Sequence, residues 1–250
     1  MKVYLINLKR SPDRLQKMQK LLGRYSINFQ RFEALDSREF TDDDLKNVTP
    51  PNYLYPYVMQ KGEVACFLSH RNCWKDFVQS NDDWALILED NQILQPAITT
   101  YIQDLSWIPK ECGLIQLQYS IKPTFSDKNI DINNNTLLRI KYSNPIGTSA
   151  YLISKEVALL AIENSKTIDC PIDNFLFGFW SPFSNKVRAW RLLKPLSRRD
   201  NIDTTIGGRG KKIKVFHWEK LSPKRLLLKL YINLHKPLLK KQQQTWPEFK

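Results

Sequence analysis

Runs typical of buried strands alternate with segments of helical periodicity along this chain, and that alternation constrains its fold more than any other feature. Residues 2–8 (KVYLINL) are rich in β-branched and aromatic side chains, as strands are. Ser11 and Pro12 follow, a capping residue and then proline at the first helical position, so we expect a helix over residues 12–23. Residues 27–34 (INFQRFEA) alternate apolar and polar side chains, which predicts a second strand and an opening β-α-β unit.

The same alternation continues beyond this unit. Residues 62–80 carry apolar side chains near helical spacing and lead directly into the strand-like run WALILEDN at 84–91. Further strands are expected at 113–118 and 148–153, the second followed by a helix that Ser154 caps. We therefore predict an α/β fold with a mainly parallel sheet flanked by helices, in which ligands bind beyond the carboxyl ends of the strands.

Positive charge is concentrated in the last part of the sequence. The net charge is +13, and residues 186–250 carry 18 Lys and Arg against four acidic residues. Within this part, residues 221–241 place leucines on one helical face and basic residues on the other. Such a helix can lie on an anionic membrane, although its leucines can equally dock onto the domain itself. We divide the chain into a domain over 1–218 and a basic amphipathic helical tail over 219–250, which predicts an anionic partner, either nucleic acid or a membrane surface.

Cysteine usage and hydropathy bear on the compartment. The four cysteines are scattered without a CxxC pair, which favours a reduced, cytoplasmic chain over a disulfide-bonded secreted one. The first residues lack the apolar stretch and the small-residue cleavage site of a signal peptide. No run of about 18 apolar residues occurs, so we expect no membrane-spanning helix.

The run at 84–91 ends in Glu89, Asp90 and Asn91. Paired carboxylates are too costly to bury without partners, so they should emerge at the ligand-binding edge of the sheet. Oxygen ligands of this kind suit Mg²⁺ or Mn²⁺, and such an ion would in turn hold a diphosphate. The alternative is that Glu89 and Asp90 only cap the following helix or pair with nearby lysines.

Four blocks of the sequence, taken together, resemble a known family. They are VYLINLKRSPDR near the start, GEVACFLSHRNCW from Gly62, LILEDN, and PIDNFL from Pro171, in this order and at these spacings. Over roughly residues 2–180 the chain is similar to glycosyltransferase family 25, whose bacterial members build the outer cores of lipooligosaccharide and lipopolysaccharide. The resemblance implies a Rossmann-like fold of glycosyltransferase A-type, with residues 1–218 as the catalytic domain. It also implies a nucleotide-sugar donor, usually UDP-galactose or UDP-glucose, and a divalent metal held by an acidic cluster.

The resemblance implies that Glu89, Asp90 and Asn91 hold this metal. In the family the strand block usually reads LEDD, so Asn91 is a departure. Its amide still offers a carbonyl oxygen, but one negative charge fewer should weaken binding of Mn²⁺ or Mg²⁺. His217, in VFHWE, is the candidate for a further metal ligand.

Residues near the end of the first strand are implied to bind the donor. Lys9, Arg10 and Arg14 lie where backbone N–H groups and the helix dipole also favour an anion, so they are candidates for binding the diphosphate. Solvated surface charge is the alternative for all three. Asn7, at the strand end, can hydrogen-bond the uracil or the ribose. The full predicted donor-binding set is Asn7, Lys9, Arg10, Arg14, Ser69, Glu89 and Asp90.

Three residues are candidates for catalytic work. Asp173, in PIDNF, is the general base we expect if the reaction inverts the anomeric centre, because a carboxylate must take the proton from the attacking acceptor hydroxyl. A helix-capping role is the alternative, and Glu63 is the competing base. Glu63 and His70 are seven residues apart and share one helical face, where we expect both to contact the donor sugar or the acceptor. His70 without this context would more often be a structural histidine. The basic, glycine-containing stretch 197–212 can close over phosphates or form a surface loop.

These expectations combine into one function. The chain is expected to move galactose or glucose from a UDP donor to a terminal sugar of lipooligosaccharide, with inversion to a β-linkage. It would work in the cytoplasm on the inner face of the bacterial inner membrane, bound through the basic tail. Two rivals stay open. A basic nucleic-acid-binding protein is disfavoured because aromatic and basic residues do not interleave, so we expect no nucleic-acid partner. A degenerate family member that binds nucleotide sugar without turnover is motivated by Asn91.

Overall fold

The computed structural model describes residues 1–41, 43–44, 57–143, 147–179, 181–200, 211–212, 230, 234 and 236–246. His217 and most of the predicted tail lie outside these residues. Among the helices of the described residues, none combines the length and apolar character needed to cross a bilayer.

The elements of the described residues follow in chain order. The strands are β1 (Lys2–Leu8), β2 (Gln30–Ala34), β3 (Tyr57–Val58), β4 (Trp84–Glu89), β5 (Gln92–Leu94), β6 (Leu114–Gln116), β7 (Thr124–Ile132), β8 (Asn135–Ser143), β9 (Ala150–Ser154), β10 (Trp190–Leu192), β11 (Ser197–Arg199), β12 (Lys211–Lys212) and β13 (Lys240–Gln242). The α-helices are α1 (Pro12–Arg24), α2 (Lys61–Val78), α3 (Ile98–Gln103), α4 (Lys155–Asn164), α5 (Ile172–Phe177) and α6 (Pro182–Val187). Short 3₁₀ turns occupy Ser37–Glu39 and Lys236–Leu238.

The opening β-α-β unit is confirmed. Pro12 lies at the first turn of α1, and β2 pairs in parallel with β1. The second strand begins at residue 30 rather than 27. Ile27 instead closes the end of α1, because its N–H donates to the carbonyl of Leu22 after a turn in which Ser26 adopts φ 54°. The predicted cap of α4 is also confirmed, since the Ser154 hydroxyl accepts a hydrogen bond from the N–H of Val157 at 3.2 Å.

Nine strands form one sheet in the order β13-β7-β8-β10-β6-β9-β4-β1-β2. Six of them (β2, β1, β4, β6, β10 and β7) point in one direction, and β9, β8 and β13 point in the other. The predicted α/β fold with a mainly parallel strand direction is therefore confirmed. The antiparallel β9 between β4 and β6 is a feature that simple strand–helix alternation does not predict.

Both faces of the sheet are covered, which explains why residues 3–6 of β1 and 85–88 of β4 are continuously apolar. Tyr4 of β1 and Ile87 of β4 pack with α2, α4, α5 and α6 on one face. Leu5 and Leu88 pack with α1 and α3 on the other. The polar residues that end β1 and β4 therefore emerge from the core together, at the carboxyl edge of the sheet.

Part of the predicted tail belongs to this domain. Strand β13 pairs with β7 at the sheet edge, and the buried side chain of Gln244 accepts from the N–H of Ser120 at 2.7 Å and donates to the carbonyl of Leu192 at 2.7 Å. Apart from residues 236–246, the tail is described only at Leu230 and Leu234. Three leucines of the tail, Leu230, Leu234 and Leu238, are respectively 49%, 71% and 80% exposed.

Candidate functional site

A cleft opens at the carboxyl ends of β1 and β4, between the N-terminal half of α2 and strand β11. It encloses about 800 Å³, its open mouth included. Seven predicted residues meet here: Arg10, Arg14, Ser69, His70, Glu89, Asp90 and Asn91. The remaining lining residues are Ile6, Leu8, Ala34, Leu35, Ser37, Gly62, Ala65, Cys66, Arg199 and Asp200.

Asp90 is tied to the β1–α1 side of the cleft. Its Oδ2 accepts from Nδ2 of Asn7 at 2.8 Å, and its Oδ1 lies 3.5 Å from Nη1 of Arg14. The same Asn7 side chain donates to the carbonyl of Ser11 and accepts from Nε of Arg31 at 3.1 Å. Burial raises the pKa of Asp90 despite the opposing effects of Asn7 and Arg14. The carboxylate is therefore incompletely compensated, and a further cation beside it would be favourable.

Glu89 faces the opposite side of the cleft. Its Oε1 lies 3.5 Å from Nε2 of His70 and accepts from the Thr148 hydroxyl at 3.3 Å, while its Oε2 lies 3.6 Å from Nη2 of Arg199. Burial alone would raise the pKa of Glu89, but His70, Arg199 and Thr148 outweigh burial and the net shift is downward. Glu89 is therefore a fixed, ionised group that already has its partners.

The orientation of His70 follows from its buried neighbours. The indole Nε1–H of Trp74 can only donate, and it donates to the Tyr151 oxygen at 2.8 Å. The Tyr151 hydroxyl lies 2.9 Å from Nδ1 of His70. Since the Tyr151 oxygen already accepts from Trp74, Tyr151 donates its own proton to Nδ1, which leaves the proton of His70 on Nε2, 3.5 Å from Oε1 of Glu89. We assign this tautomer, in which His70 orients Glu89.

Removing the Tyr151 hydroxyl tests this chain. Tyr151→Phe leaves the buried Trp74 N–H and the Nδ1 of His70 without their partner, so we expect the free energy of unfolding to fall by about 1–3 kcal/mol. Urea denaturation of the variant gives this difference. The half-exposed Tyr119 provides a matched control, because Tyr119→Phe should change stability by less than about 0.5 kcal/mol. An equal effect of the two substitutions would contradict the assigned chain.

The Cys66 thiol, the His70 imidazole and the Glu89 carboxylate lie within 4.8 Å of one another and could together hold a metal ion. Thiolate and imidazole ligands suit softer ions such as Zn²⁺, whereas Mg²⁺ and Mn²⁺ prefer oxygen. Burial also raises the pKa of Cys66 well above its ordinary value, which disfavours the thiolate. This group is therefore a poor match for Mg²⁺ or Mn²⁺.

Asp90 and Asn91 offer oxygen atoms that fit a hard divalent ion better. Both line the cleft, and Asp90 is the undercompensated carboxylate. Asn91 Oδ1 accepts from Nε2 of Gln92 at 2.7 Å. Mg²⁺ and its relatives commonly use one or two protein oxygens together with substrate phosphates and water, so two such residues are sufficient.

The other predicted donor residues differ in position. Arg10 lines the cleft and its Nε donates to Asp36 at 2.6 Å, whereas Lys9 is exposed and is not among the lining residues. Ser69 lines the cleft, but its hydroxyl donates to the carbonyl of Ala65 at 2.7 Å and accepts from the N–H of Leu35 at 2.9 Å. Ser69 thus anchors the chain after β2 to helix α2.

The two candidate bases occupy different surroundings. Glu63 closes a capping box at the start of α2, where its Oε2 accepts from the N–H of Gln60 at 2.9 Å. Asp173, in the first turn of α5, accepts from the N–H of Gly147 at 3.1 Å and from the N–H of Asn174 at 2.8 Å. Thr148, the residue after Gly147, donates to Glu89 in the cleft. Asp173, which binds Gly147, therefore borders the cleft, although it is not one of the lining residues.

The electrostatics of Asp173 suit a base. Burial raises its pKa, against the lowering effects of Gly147, Asn174 and the guanidinium of Arg199. The charge of Arg199 also lowers the pKa of Glu89, so the same cation acts on Asp173 and on a residue that lines the cleft.

Arg199 is the functional residue that the predicted set left out. It lies in β11, which pairs antiparallel with β5 so that Arg199 is opposite Gln92, next to the metal-binding candidates. The following residue, Asp200, donates its N–H to the carbonyl of Asn91 at 2.8 Å and forms an ion pair with Lys17. In the sequence, the only signal was a basic stretch, which does not reveal that it pairs with the segment after β4.

Comparisons with known proteins agree with the four sequence blocks. The family model "Glycosyltransferase family 25 (LPS biosynthesis protein)" matches residues 1–176. A glycosyltransferase 25 family member of Drosophila melanogaster is 30% identical over 195 residues, which are 74% of this chain and 31% of that protein. Human procollagen galactosyltransferase 2 is 33% identical over 95 residues, 36% of this chain and 15% of that protein.

The chain spans less than a third of the length of these relatives. Among solved structures, a glycosyltransferase involved in glycosylation of the PBCV-1 major capsid has TM-score 0.42 at 11% identity, covering 81% of this chain and 93% of that one. A Drosophila galactosyltransferase 7 mutant in complex with manganese, UDP-Gal and xylobiose has TM-score 0.36 at 11% identity, covering 88% and 73%. On the family match across most of its length, this chain belongs to glycosyltransferase family 25.

Proposed function

We propose that this protein transfers a hexose, galactose or glucose, from a UDP donor to a sugar acceptor with inversion of the anomeric centre. One observation carries the proposal: the cleft at the carboxyl ends of β1 and β4 gathers hard oxygen ligands and three arginines beside a partly buried carboxylate whose pKa is raised. Anion-binding and proton-accepting groups are thus adjacent, as transfer from a sugar diphosphate requires.

The cations of the cleft account for donor binding. Arg10, Arg14 and Arg199 all line it, and none of them is fully buried, so their charges can reach a diphosphate. Their fork-shaped guanidinium groups bind phosphate oxygens in pairs. Asn7 contributes to donor binding only indirectly in this proposal, because both the nitrogen and the oxygen of its amide already bind protein groups. It fixes Asp90 rather than the nucleotide.

A divalent ion, when bound, would stabilise the charge of the departing UDP, and Asp90 and Asn91 are the residues that would hold it. His70 and Arg199 hold Glu89 beside them.

Asp173 receives the proton. In this proposal the acceptor hydroxyl attacks the anomeric carbon from the side opposite the diphosphate, the bond to UDP breaks, and the hydroxyl proton passes to Asp173. The N–H groups of Gly147 and Asn174 orient the carboxylate, while its partial burial raises its pKa and makes it a stronger base than an exposed aspartate. From an α-linked UDP-hexose the product is a β-linkage.

Lipooligosaccharide is the proposed acceptor, and the inner face of the bacterial inner membrane is the proposed place of work. The description of the matching family names LPS biosynthesis, and the C-terminal part carries the excess positive charge with exposed leucines at 230, 234 and 238. Basic residues near an anionic bilayer contribute about 1 kcal/mol each, and exposed leucines add apolar burial.

Mass spectrometry of products tests this function. The protein is incubated with Mn²⁺, one UDP-hexose at a time, and truncated lipooligosaccharide or a procollagen-derived peptide as acceptor. We expect one hexose mass to be added to lipooligosaccharide and UDP to be released. Addition to the peptide alone would contradict the proposed acceptor, and UDP binding with no transfer to either acceptor would contradict the proposed activity.

Asn91 favours a second candidate, a family member that binds nucleotide sugar without turnover. One variant distinguishes the two candidate functions. Asn91→Asp adds a charge to the metal site, so we expect about tenfold tighter Mn²⁺ binding in isothermal titration, with transfer retained or raised. If transfer is absent in the wild type and appears in the variant, the second candidate is correct. Unchanged Mn²⁺ affinity would remove Asn91 from the metal site.

A further inference from the structure

Arg191, in β10, is a buried cation with neutral partners. Its side chain is 0% exposed, and burial lowers its pKa to about 10. The guanidinium donates from Nε to Oε1 of Gln116 at 2.9 Å, also from Nη2 to the same oxygen, and from Nη1 to the Thr124 hydroxyl at 2.5 Å. Within the ranges that the structure describes, it forms no ion pair with a carboxylate. Burying a charge this way is costly, so its position calls for an explanation.

A chain of hydrogen bonds leads from Arg191 to the proposed base. Both groups of the Gln116 amide are used: Oε1 binds Arg191, and Nε2 donates to the carbonyl of Gly147 at 2.8 Å. The N–H of Gly147 in turn donates to Oδ2 of Asp173 at 3.1 Å. Because Arg191 binds Oε1, it also fixes which way the Gln116 amide points, and a flipped amide could not donate to Gly147.

Gly147 is restrained from another side as well. It adopts φ +82°, and a Cβ atom at this position would lie 2.5 Å from Nε2 of Gln118. Gln118 itself is held because its Oε1 accepts from the N–H of Ser149 at 2.9 Å. The segment that presents an N–H to Asp173 is therefore fixed by two buried glutamines, one of which is oriented by Arg191.

We infer that Arg191 is a positioning residue for Asp173, acting through the Gln116 amide and the backbone of Gly147. This inference rests on the proposed function in one respect, the role of Asp173 as the base. Arg191 touches neither donor nor acceptor in this scheme. Its effect is to hold the N–H that orients the carboxylate toward the acceptor hydroxyl.

Loss of the hydrogen bond from the N–H of Gly147 shifts the pKa of Asp173 in a known direction. Gly147 lowers the pKa of Asp173, so weakening that contact raises the pKa further. The charged or titratable groups coupled to Asp173 are Arg199 of β11, Cys66 of α2 and Cys170 before α5, and none of them changes in the test below. The base is then protonated at higher pH, and the acidic limb of the kcat profile moves upward.

Gln116→Met is the main test, because it removes the amide without adding charge. We expect kcat to fall about 10- to 100-fold with the KM for the UDP-hexose unchanged, and the acidic limb to move to higher pH. Gln244→Met is the matched control, since it also removes a buried glutamine that joins two backbone segments, those of Ser120 and Leu192, but it binds none of the groups that link Arg191 to Asp173. Equal effects of the two variants on kcat and on the acidic limb would overturn the inference.

A second readout does not depend on turnover. The titration of Asp173 is followed by ¹³C NMR of Asp-labelled protein, with Asp173→Asn identifying its resonance. A raised pKa in Gln116→Met supports the inference even if no UDP-hexose is transferred, in which case only the proposed function fails. An unchanged pKa and kcat in an active protein overturns the inference alone. If Gln116→Met does not fold, Arg191→Lys replaces it as the test variant. It keeps the buried charge but loses the forked contact of the guanidinium with Gln116, so the same changes in kcat and in the pKa of Asp173 are expected.

Discussion

Asp173→Asn is expected to reduce kcat by about 10²- to 10⁴-fold while the protein still binds UDP and Mn²⁺. The amide keeps the size of the carboxylate, and its single oxygen can still accept from one of the two N–H groups, but it cannot take a proton from the acceptor hydroxyl. Binding of the nucleotide is unaffected because Asp173 does not line the cleft. Transfer is measured as UDP release, and binding by isothermal titration.

The control for this substitution is Asp104→Asn. Asp104 also accepts from a backbone N–H, that of Ser106 at 2.8 Å, but it lies at an exposed turn after α3. The control should retain kcat. If Asp173→Asn is as active as the control, the base lies elsewhere and Glu63 becomes the next residue to test.

Asp90→Ala is expected to abolish transfer and to weaken Mn²⁺ binding by at least about 100-fold. Asp90 is the carboxylate that the cleft leaves least compensated, so no neighbour replaces it. Stability should also fall, by about 1–3 kcal/mol, because Asn7 and Arg14 lose a buried acceptor. Asp90→Asn keeps the size of the side chain and one of the two acceptor oxygens, so it should lose Mn²⁺ affinity with a smaller loss of stability than Asp90→Ala.

Asp127→Ala provides the matched control. Asp127 is also paired with an arginine, Arg139, at 2.7 Å, but on a more exposed part of the hairpin β7–β8. It should leave both Mn²⁺ affinity and transfer unchanged. Transfer by Asp90→Ala at the control rate would place the metal site elsewhere.

The site was predictable where local patterns determine it. The apolar runs of β1 and β4 are buried on both faces, and the carboxyl ends of two parallel neighbouring strands lie at the same edge of a sheet, so Asn7 and Asp90 meet there. Helical periodicity placed Glu63 and His70 on one face of α2, and His70 does line the cleft. For Glu63 the same helical periodicity was less informative, because position three of a helix also suits a capping box.

Long-range pairing was not predictable from these patterns. The hairpin β7–β8 turns at Asn133 and Asn134, both at positive φ, and this Asn-Asn pair between two strand-like runs was the available signal. Strand β13 has the sequence KKQ, which has no strand propensity, so only its pairing with β7 makes it a strand. Arg199 reaches the cleft only because β11 pairs with β5, and this pairing joins residues that are about a hundred positions apart in sequence.

The most direct test of the account is to locate the ligands in a crystal of the protein grown with UDP and Mn²⁺. Anomalous scattering at the manganese edge identifies the ion without ambiguity. We expect one peak in the cleft beside Asp90 and Asn91, with the diphosphate against Arg14. A manganese peak among Cys66, His70 and Glu89, or UDP bound outside the cleft, would contradict the account.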